Sequence, residues 1–410
     1  MLCDSVYLLV KIGIAGPVSL EFLRPWLSAE QPLPEVYSFP LIGRIAAALL
    51  TRGHSVSVFA GSDQVSSMHH VSGNGVDITV CPRRSRRIAY DFYAVERSFL
   101  SSAIRNSGCD LIHAHWCYEF AAAAQESGLP TLITAHDCPN EIAKCFRWTS
   151  AFPHWFCRSL LGRRVCRNAR FMTCVSPYVE KSLRHLLGPK TSLTVIPNGV
   201  PAQLFDLGKT RLSQPPPHGP FRVATVLEGF GTLKNARSAL QAFPLFLSHC
   251  PTAELWMFGG DFQPQGPAAT WARHHGLDKQ VVFCGRTPQT KLHRLLQEEI
   301  SVLLHPSLSE AHPMALLECM ALGIPVIGGE SSGGVPYTLD FGRAGLLTDI
   351  TAPHLMAAAL VKMYVDESLR KELANHGWRR AHQLFHEDRM MDQYFAEYIK
   401  VLSLEGIPQG

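Results

Sequence analysis

With 410 residues, 46% of them hydrophobic and 18% charged, the sequence is typical of an ordered globular protein and too long for one ordinary core, so two domains are expected. No apolar run approaches the roughly 20 residues of a membrane-spanning helix, and no such span is predicted. The net charge of +4 is unevenly divided, because residues 1–205 carry 20 basic and 14 acidic residues and the remainder 18 and 20. A basic first half favours an anionic ligand or an acidic membrane surface as its partner.

The basic residues of the first half form two clusters. The denser one comprises Arg83, Arg84, Arg86 and Arg87, and the second comprises Arg158, Arg163, Arg164 and Arg167. Taken alone, each cluster fits a solvated loop slightly better than a binding surface. Neither is interleaved with aromatic residues, and no nucleic-acid-binding motif occurs, so nucleic acid is not predicted as a partner.

The N-terminal residues and the twelve cysteines both favour a cytoplasmic protein. Residues 1–15 carry Asp4 instead of a basic leader, and no convincing cleavage site follows, so they are predicted to form a first strand and not a signal peptide. The cysteines include no C-x-x-C pair, which argues against a zinc ribbon or a redox motif. A group of cysteines surrounds His154, but its spacings match no standard metal-ligand set; its members are Cys138, Cys145, Cys157 and Cys166.

Strand and helix signals alternate along the chain, as they do in parallel sheets with crossover helices. The predicted elements of the first half are, in chain order, a strand over 11–15, a helix over 41–52, strands over 55–60 and 110–115, a helix over 120–126, a strand over 130–135, a helix from Ser176-Pro177 to Leu187 and a strand over 192–197. Each strand ends in a turn or a polar residue, which is where ligands bind in such sheets.

A polar, proline-rich run at 207–220 predicts a linker between the two halves. After it the predicted elements are a strand over 222–227, a helix over 235–247, a strand over 253–258, a helix over 268–275, a strand over 281–284, a helix over 289–297 and a strand over 300–304. The predicted fold is α/β, with two Rossmann-like doubly wound domains, 1–206 and 221–386, that face an interdomain cleft. A last helix over 387–404 is expected to pack back on the first domain.

Two carboxylates, Glu310 and Glu318, stand eight positions apart across a predicted loop-to-helix junction. Pro313 fits the first turn of the helix, whose N-terminus attracts phosphate. Such a pair alone would more often be solvated surface, but Glu318 lies inside an apolar run, where an unpaired charge is costly. Ribose hydroxyls are good partners for a buried carboxylate, so the pattern predicts a sugar-nucleotide pocket.

Further motifs accompany this pair in a recognisable order. They are Ile196-Pro197-Asn198-Gly199-Val200, Lys234-Asn235, the two glutamates, and Ala321-Leu322-Gly323-Ile324-Pro325-Val326-Ile327. Together they resemble glycosyltransferase family 4 of the GT-B fold over nearly the whole chain. The resemblance implies a retaining transfer, without metal or cofactor, of a sugar from a nucleoside diphosphate sugar, with UDP or GDP expected. The implied acceptor is a glycan, a lipid-linked or another hydroxyl compound of polysaccharide or glycoconjugate biosynthesis, bound by the first domain.

The resemblance also implies roles for single residues. Glu310 resembles the carboxylate that contacts donor-sugar hydroxyls, Glu318 the one that binds ribose, and Lys234 the lysine on the diphosphate. His136 resembles the active-site histidine of the first domain, a role for which His113 and His115 compete. The implied catalytic residues are therefore His136, Glu310 and Lys234. The implied donor-binding residues are Gly16, Lys234, Glu310, His312, Pro313, Met314, Glu318 and Gly259, and no metal ligand is expected.

Two positions depart from the family pattern. Gly229, beside Glu228, stands where many members have arginine, so one diphosphate cation is missing or comes from elsewhere, such as Arg286. His312 stands where an aromatic residue is common, so an unusual donor is expected. The missing arginine keeps open a second class of function, a nucleotide-sugar-binding subunit without catalysis, and a GT-B epimerase is a further alternative. The basic first half fits an anionic or lipid-linked acceptor, reached by peripheral contact with the inner face of an anionic membrane.

Overall fold

The computed structural model describes residues 10–29, 31–215 and 219–406, so residues 1–9 of the predicted first strand lie outside the described part. The chain divides into two compact units, Met1–Ile196 with Met390–Gly410 (unit 1) and Pro197–Arg389 (unit 2). Among the described helices, none combines the length and the apolar character that crossing a bilayer requires.

Unit 1 is an α/β unit whose strands and helices alternate. Its elements are β1 Lys11–Ala15, α1 Pro40–Thr51, β2 Ser55–Ser62, β3 His69–Ser72, β4 Val76–Pro82, α2 Ala94–Arg105, β5 Leu111–His115, α3 Glu119–Ser127, β6 Thr131–Ala135, α4 Pro139–Cys145, α5 Phe152–Asn168, β7 Phe171–Cys174, α6 Pro177–Leu183 and β8 Ser192–Val195. A 3-10 helix, Leu20–Trp26, follows β1, and the last helix, α15, runs over Glu387–Leu404.

The eight strands of unit 1 form one sheet in the order β3-β4-β2-β1-β5-β6-β7-β8. All neighbours are parallel except β3 and β4. Strands β1 and β5 are adjacent although β2, β3 and β4 lie between them in the chain, so the strand order reverses there. In an open α/β sheet this reversal leaves a crevice at the carboxyl ends of the two strands, which here begins with Gly16 and Trp116.

Unit 2 repeats the alternation. Its elements are α7 Ala202–Leu212, β9 Arg222–Val226, α8 Ala236–Leu247, β10 Glu254–Phe258, α9 Pro267–His274, β11 Val281–Gly285, α10 Gln289–Glu299, β12 Val302–His305, α11 Met314–Ala321, β13 Val326–Gly329, α12 Val335–Thr338, β14 Leu346–Thr348, α13 Pro353–Val365 and α14 Glu367–Leu384. Two 3-10 helices, Thr232–Lys234 and Asp340–Gly342, precede α8 and β14.

The six strands of unit 2 are all parallel and follow the order β11-β10-β9-β12-β13-β14. This is the strand order of a Rossmann fold, with its reversal between β9 and β12. The apolar strands are buried between helices on both sides, which explains why they appear in the sequence as short apolar runs without alternation. The loops that follow β9 and β12 therefore meet at one place on the sheet edge.

The boundary between the two predicted domains needs a correction. The predicted first domain extends to residue 206 and the predicted linker covers 207–220, but the structure assigns residues from Pro197 onward to unit 2 and places 207–212 in α7. Leu204 and Phe205 of α7 are buried in the core of unit 2, which holds this helix against it. The proline-rich residues mark only the C-terminal end of the connection. Helix α7 before them is amphipathic, and its polar residues made this stretch resemble part of the linker.

Two smaller sequence predictions also differ from the structure. Helix α6 ends at Leu183 and does not reach Leu187, although Ser176 caps it as predicted, its hydroxyl accepting from the Val179 amide. Pro313 is the N-cap of α11 with extended backbone (φ −75°, ψ 116°), and Met314 is the first helical residue. Glu318 consequently lies in the second turn of the helix.

Candidate active site

The first candidate site lies where the strand order of unit 2 reverses. The segment after β9 leads through a turn to the 3-10 helix Thr232–Lys234, and the segment after β12 leads to Pro313. The amide of Leu308 donates to the carbonyl of Leu233 at 2.9 Å, so the two segments are joined by their backbones. On the other side, Gly334 donates to the carbonyl of Glu310 at 2.7 Å. These bonds hold the Glu310 backbone in place without using its side chain.

Lys234 and Glu310, which are 76 residues apart in sequence, form an ion pair at this reversal. The Lys234 ammonium donates to Glu310 Oε1 at 2.7 Å, with side chains that are 27% and 16% exposed. His305 Nε2, at the end of β12, lies 3.4 Å from the same oxygen. Burial raises the pKa of Glu310, but the charge of Lys234 and the contact with His305 outweigh burial and hold that pKa well below its usual range. Glu310 is therefore an anion at every physiological pH.

Glu318 has two partners, both from the first turns of α10. Gln289 Nε2 donates to Glu318 Oε1 at 3.2 Å, and His293 Nε2 lies 3.2 Å from Oε2. The residue is buried, as predicted from its apolar sequence context. Because Gln289 and His293 are four positions apart, they lie on one face of α10 and hold the carboxylate from the same side. This arrangement fixes a carboxylate that has lone pairs left to accept hydroxyl donors.

The N-terminus of α11 lies between these two carboxylates in the sequence. Pro313 is buried and Met314 is half-buried, and no side chain caps the amides of the first turn. Its first turn carries no acidic residue, so its partial positive charge is not neutralised locally. Uncapped amides at a helix N-terminus are suited to an anionic group such as a phosphate.

His312 is buried and bonded to the Pro197-Asn198-Gly199 turn. Its Nδ1 accepts from the Asn198 amide at 3.1 Å, its carbonyl accepts from Asn198 Nδ2 at 3.1 Å, and its ring packs edge-on against Phe385 at 4.8 Å. Burial lowers its pKa to about 3, so the ring is neutral. Its Nε2 is buried without a hydrogen-bond partner among the described residues. The Pro197-Asn198-Gly199 turn thus positions the loop that carries Glu310, and a direct contact of His312 with a donor stays a prediction.

Two glycines shape the segments after β9 and β10. Gly259 has φ +120°, and a Cβ there would lie 1.7 Å from the carbonyl oxygen of Leu227, so no other residue fits. Gly229 has φ +92°, a conformation in which an arginine would be strained. Beside it, Glu228 forms an ion pair with Arg286, and both side chains are largely exposed. A cation other than Lys234 therefore stands at this edge of the sheet, held by Glu228.

A second candidate site lies at the strand reversal of unit 1. A Cβ on Gly16, which follows β1, would lie 3.1 Å from the Cβ of His115 at the end of β5, so the glycine allows close approach. His115 Nδ1 lies 3.0 Å from His136 Nε2, and both residues are buried. Burial lowers the pKa of His136 to about 3 and that of His115 well below its usual range, so both rings are neutral.

The structure separates the roles of the three histidines of unit 1. His113 is fully buried, with Nδ1 2.7 Å from the Tyr398 hydroxyl of α15 and Nε2 2.6 Å from the Thr134 hydroxyl. Both of its nitrogens are thus occupied within the core. His136 instead follows β6 and has an Nδ1 that lacks a partner among the described residues. His113 is therefore the packed histidine of the three.

Near His136, a half-buried arginine lies among aromatic rings. The guanidinium carbon of Arg158 in α5 lies 3.9 Å from the ring centroid of Tyr118 and 5.2 Å from that of Trp155. Among the described residues, no carboxylate forms a direct salt bridge with Arg158 and its Nε lacks a hydrogen-bond partner, although Glu119 and Asp137 lie near enough for their charges to act on it. Asp137 accepts from the Tyr118 hydroxyl at 2.9 Å, and burial raises its pKa to about 6. Arg158 is thus a half-buried cation whose Nε can donate one further hydrogen bond.

Sequence reasoning missed three residues of the unit 2 site, namely His305, Gln289 and His293. A histidine at the carboxyl end of the buried run 302–305 is a recognisable signal, because ligands bind at that end of a parallel strand. The pair on α10 has the spacing of one helix face, but nothing in the sequence relates it to Glu318. A cavity of about 500 Å³ also opens in unit 2, at the amino ends of the strands beside Phe221 and Ser301, and none of the predicted site residues lines it.

Two protein-family models match the chain. Residues 41–204 match the model of Glycosyltransferase Family 4, and residues 213–380 match that of Glycosyl transferases group 1. The first range lies mostly in unit 1 and includes His136, and the second lies in unit 2 and includes Lys234, Glu310 and Glu318.

Several characterised proteins are similar in sequence. A D-inositol 3-phosphate glycosyltransferase of Corynebacterium glutamicum is 24% identical over 64% of this chain and 65% of its own length. An N-acetyl-alpha-D-glucosaminyl L-malate synthase of Bacillus anthracis is 24% identical over 43% of this chain and 45% of its own. A GDP-mannose-dependent alpha-(1-6)-phosphatidylinositol monomannoside mannosyltransferase of Mycobacterium tuberculosis is 27% identical over 51% and 56%. The chain thus matches between about half and two thirds of the length of these relatives.

Solved structures show the same fold along almost the whole chain. Sucrose-phosphate synthase from Thermosynechococcus elongatus superposes with a TM-score of 0.76 at 18% identity, over 96% of this chain and 100% of that one. Anabaena Alr3699/HepE in complex with UDP and glucose gives 0.64 at 17% identity, over 95% and 99%. The two parallel-sheet units, the two family models and these likenesses agree with the resemblance seen in the sequence. The chain belongs to glycosyltransferase family 4 and has the GT-B fold.

Proposed function

We propose that the protein transfers a sugar, with retention of anomeric configuration, from a nucleoside diphosphate sugar to a hydroxyl acceptor of polysaccharide or glycoconjugate biosynthesis. Unit 2 binds the donor and unit 1 binds the acceptor. The observation that carries the proposal is the Lys234–Glu310 pair at the strand reversal of unit 2, with Glu318 held nearby in sequence on α11. A cation for a diphosphate and two fixed carboxylates for hydroxyls match the two halves of such a donor.

In the proposed step, the acceptor oxygen forms a bond to the anomeric carbon while the bond from that carbon to the diphosphate oxygen breaks. A phosphate oxygen of the departing nucleoside diphosphate takes the acceptor proton. Lys234 stabilises the charge that grows on the leaving group, and preorganised cations of this kind contribute roughly 3 kcal/mol. Glu310 orients the sugar through its hydroxyls, Glu318 binds ribose, and His136 contacts the sugar or the acceptor. Because Lys234 supplies the positive charge, we propose that transfer needs no metal and survives chelation with EDTA.

The half-buried Arg158 supports an acceptor that carries a phosphate or carboxylate. Two of the relatives are named for phosphate-bearing acceptors, D-inositol 3-phosphate and a phosphatidylinositol monomannoside. In this chain, Arg158 forms no direct salt bridge among the described residues and its Nε has no hydrogen-bond partner there, so an anionic acceptor could accept from it in addition to the nearby charges of Glu119 and Asp137. Arg158→Gln should raise the KM for an anionic acceptor far more than the KM for the donor, and equal effects on both would contradict this role.

An exposed face of α5 supports peripheral contact with an anionic membrane, as the basic first half suggests. The face carries Phe156 (48% exposed) and Leu160 (37% exposed), and Trp148 just before α5 is 88% exposed. Arg163, Arg164 and Arg167 continue the same exposed face. Aromatic and aliphatic side chains beside arginines are typical of helices that lie in a lipid headgroup layer. Such contact would bring a lipid-linked acceptor to unit 1.

Sedimentation with vesicles tests the membrane contact. The triple variant Arg163→Glu, Arg164→Glu, Arg167→Glu should lose binding to vesicles that contain phosphatidylglycerol, compared with phosphatidylcholine alone, at low salt. A charge-matched control reverses three exposed residues of unit 2, namely Lys209, Lys279 and Arg379. If both triple variants lose vesicle binding equally, the binding depends only on net charge and not on this face of α5. If the wild-type protein does not sediment with the vesicles, the proposed membrane contact is wrong.

A thermal-shift panel of UDP, GDP, ADP and TDP sugars tests the main proposal. A donor that binds the native state raises the midpoint of unfolding, and the stabilisation grows with the logarithm of the donor concentration relative to Kd, to about 2.7 kcal/mol at a hundred times Kd. The stabilising donor is then used for transfer or slow hydrolysis with Glu310→Ala and Lys234→Ala. Full activity of Glu310→Ala would contradict its role. Tight donor binding with no turnover, even by the wild-type protein, would favour the non-catalytic binding subunit instead.

A further inference from the structure

The buried imidazoles of His115 and His136 in unit 1 contact each other in a way to which the proposed function assigns no role. Their Nδ1 and Nε2 atoms are 3.0 Å apart, and the ring centroids are 5.2 Å apart. Each ring has one further nitrogen, His115 Nε2 and His136 Nδ1, which is buried without a partner among the described residues. The two rings are thus joined by one hydrogen bond, and the outer nitrogen of each ring has no partner among the described residues.

A single hydrogen bond between two neutral imidazoles couples their tautomers. If His115 Nδ1 donates, then His136 Nε2 accepts and the His136 proton is on Nδ1, which becomes a donor at the unoccupied end. If His136 Nε2 donates, His136 Nδ1 is bare and the proton of His115 lies on Nε2. The state of one end therefore fixes the state of the other.

The burial of the two ends selects one of these states. His115 is fully buried and His136 is 8% exposed, so the His115 end is the more enclosed one. A buried N–H without an acceptor is rare in proteins, whereas a buried bare acceptor is tolerated more often. An N–H on the enclosed His115 Nε2 would stay without an acceptor, whereas an N–H on His136 Nδ1 could be met by an oxygen of a bound substrate. The state that suits the site therefore has a bare His115 Nε2, a proton on His115 Nδ1 that is donated to His136 Nε2, and an N–H at His136 Nδ1.

Neighbouring residues pack closely around the His115 side chain. His113 packs against it at 4.1 Å between centroids and is itself held by the Tyr398 and Thr134 hydroxyls. Gly16 lies so close to His115 that a Cβ on this glycine would be 3.1 Å from the His115 Cβ. In this packed position the His115 Nδ1 is directed at His136.

The residue that follows His115 also holds His136 in place. Trp116 has φ +65°, a left-handed conformation that costs a non-glycine residue of order 1 kcal/mol and persists only where the surroundings impose it. Its ring lies 4.4 Å from that of His136, and its amide donates to the Thr134 carbonyl at 2.9 Å. His136 is thus fixed by Trp116 on one face and by His115 through its Nε2.

We propose that His115 is a positioning residue that holds His136 in the tautomer with its proton on Nδ1, so that the active-site histidine offers a hydrogen-bond donor to a sugar or acceptor oxygen. The inference rests on the proposed function, in which His136 contacts one of these groups. It assigns no contact with substrate to His115 itself.

Three substitutions of His115 distinguish this role from simple packing. In His115→Asn the side-chain amide occupies the place of Nδ1 and can donate to His136, whereas in His115→Gln the amide reaches only the place of Nε2 and His115→Leu has none. We expect kcat for hydrolysis or transfer of the stabilising nucleotide sugar to fall about tenfold in the Gln and Leu variants, which is the equivalent of one lost hydrogen bond, while KM changes little. In the Asn variant, kcat should return towards the wild-type value. A packing role predicts the opposite order, with Leu least affected.

Nuclear magnetic resonance of protein with ¹⁵N-labelled histidine gives a readout that needs no turnover. Long-range ¹H–¹⁵N correlation separates the two imidazole tautomers, and comparison with His136→Ala identifies the signals of His136. We expect the Nδ1–H tautomer in the wild-type protein and in His115→Asn, and a mixture in His115→Leu. The Nε2–H tautomer in the wild-type protein would overturn the inference. Full activity of His136→Ala would instead remove the proposed role of His136, whatever its tautomer.

Discussion

Removal of the Lys234 ammonium should destabilise the protein more than removal of its partner carboxylate. In Lys234→Met, Glu310 keeps a charge on a side chain that is 16% exposed and is left with only His305 beside it. In Glu310→Gln, the remaining lysine is 27% exposed on a flexible stem and can reach water. The double variant has neither charge, so it should recover much of the stability that Lys234→Met loses.

The magnitude follows from the burial of the pair. Breaking a fully buried ion pair costs 3–5 kcal/mol and breaking an exposed one about 0–1 kcal/mol, so a pair of intermediate exposure should cost about 2 kcal/mol. For a unit of this size such a loss lowers the midpoint of thermal unfolding by about 4–8 °C. The matched control is Lys371→Met, since Lys371 pairs with Glu367 at 2.6 Å with side chains 62% and 54% exposed. That control should change the midpoint by about 1 °C or less.

The loss in Lys234→Met should also depend on pH. The pKa of Glu310 is held well below its usual range in the wild-type protein, so the stability from its charge is present above the unfolded value of 4.5 and is lost as the pH falls. Without Lys234, burial raises that pKa, and protonation at low pH relieves the unpaired charge. The gap between the two proteins should therefore be largest near neutral pH and narrow below about pH 5.

Calorimetric unfolding from pH 4 to pH 8, with hydrogen exchange on β12 and α11, measures these differences locally and globally. The reasoning would be refuted if Lys234→Met were no less stable than Lys371→Met. It would equally be refuted if the double variant with Glu310→Gln unfolded at the same midpoint as Lys234→Met.

Three further predictions concern other residues of the two sites. Burial raises the pKa of Asp137 from 3.8 to about 6, so the folded protein loses stability as the pH rises between those values. Asp137→Asn should therefore raise the unfolding midpoint by a few degrees above pH 6 but not near pH 4, and equal shifts at both pH values would contradict this. Gly259→Ala should lower stability by about 2 kcal/mol or more, because its Cβ would lie 1.7 Å from a carbonyl oxygen, whereas Gly276→Ala, with φ +66° and open space, should cost about 1 kcal/mol in a urea titration. His293→Ala removes one of the two partners of Glu318, so the donor KM should rise about tenfold in steady-state assays while kcat stays nearly constant. A fall in kcat alone would count against ribose binding by Glu318.

The sequence predicts many elements of both units because the signals that define them are local, but β3, β4, α2, α4, α5 and β7 of unit 1 were not predicted. Gly53 follows the end of α1, Pro177 begins α6, and buried parallel strands appear as short apolar runs. The strand order cannot be obtained in this way, since it depends on which runs pair across long stretches of chain. The end of the first unit was wrong for a related reason: α7 is amphipathic, and only its packing on the core of unit 2 shows that it belongs there.

In the candidate site too, the features that depend on local sequence could be predicted, whereas those that depend on long-range contacts could not. Glu318 and the N-terminus of α11 could be located from the apolar spacing around them, and burial of Glu318 was predicted correctly. The direct contact of Lys234 with Glu310 spans 76 residues and follows only from the adjacency of β9 and β12. The contact of His312 Nδ1 with the Asn198 amide likewise spans a long stretch of chain and could not be predicted, and a donor contact of His312 stays a prediction.

The Lys234–Glu310 pair also bears on how the donor would be used. In the free protein the ammonium is engaged with Glu310, so a diphosphate that takes up Lys234 has to displace that contact, and part of its ground-state binding energy is offset. As the bond to the sugar breaks, charge on the diphosphate grows and its attraction for Lys234 increases, while the offset stays the same. An interaction that strengthens only towards the transition state raises kcat more than it lowers KM. The pair that keeps Glu310 charged in the free protein is thus consistent with a lysine that contributes mainly to the rate, which is the signature that Lys234→Ala should show.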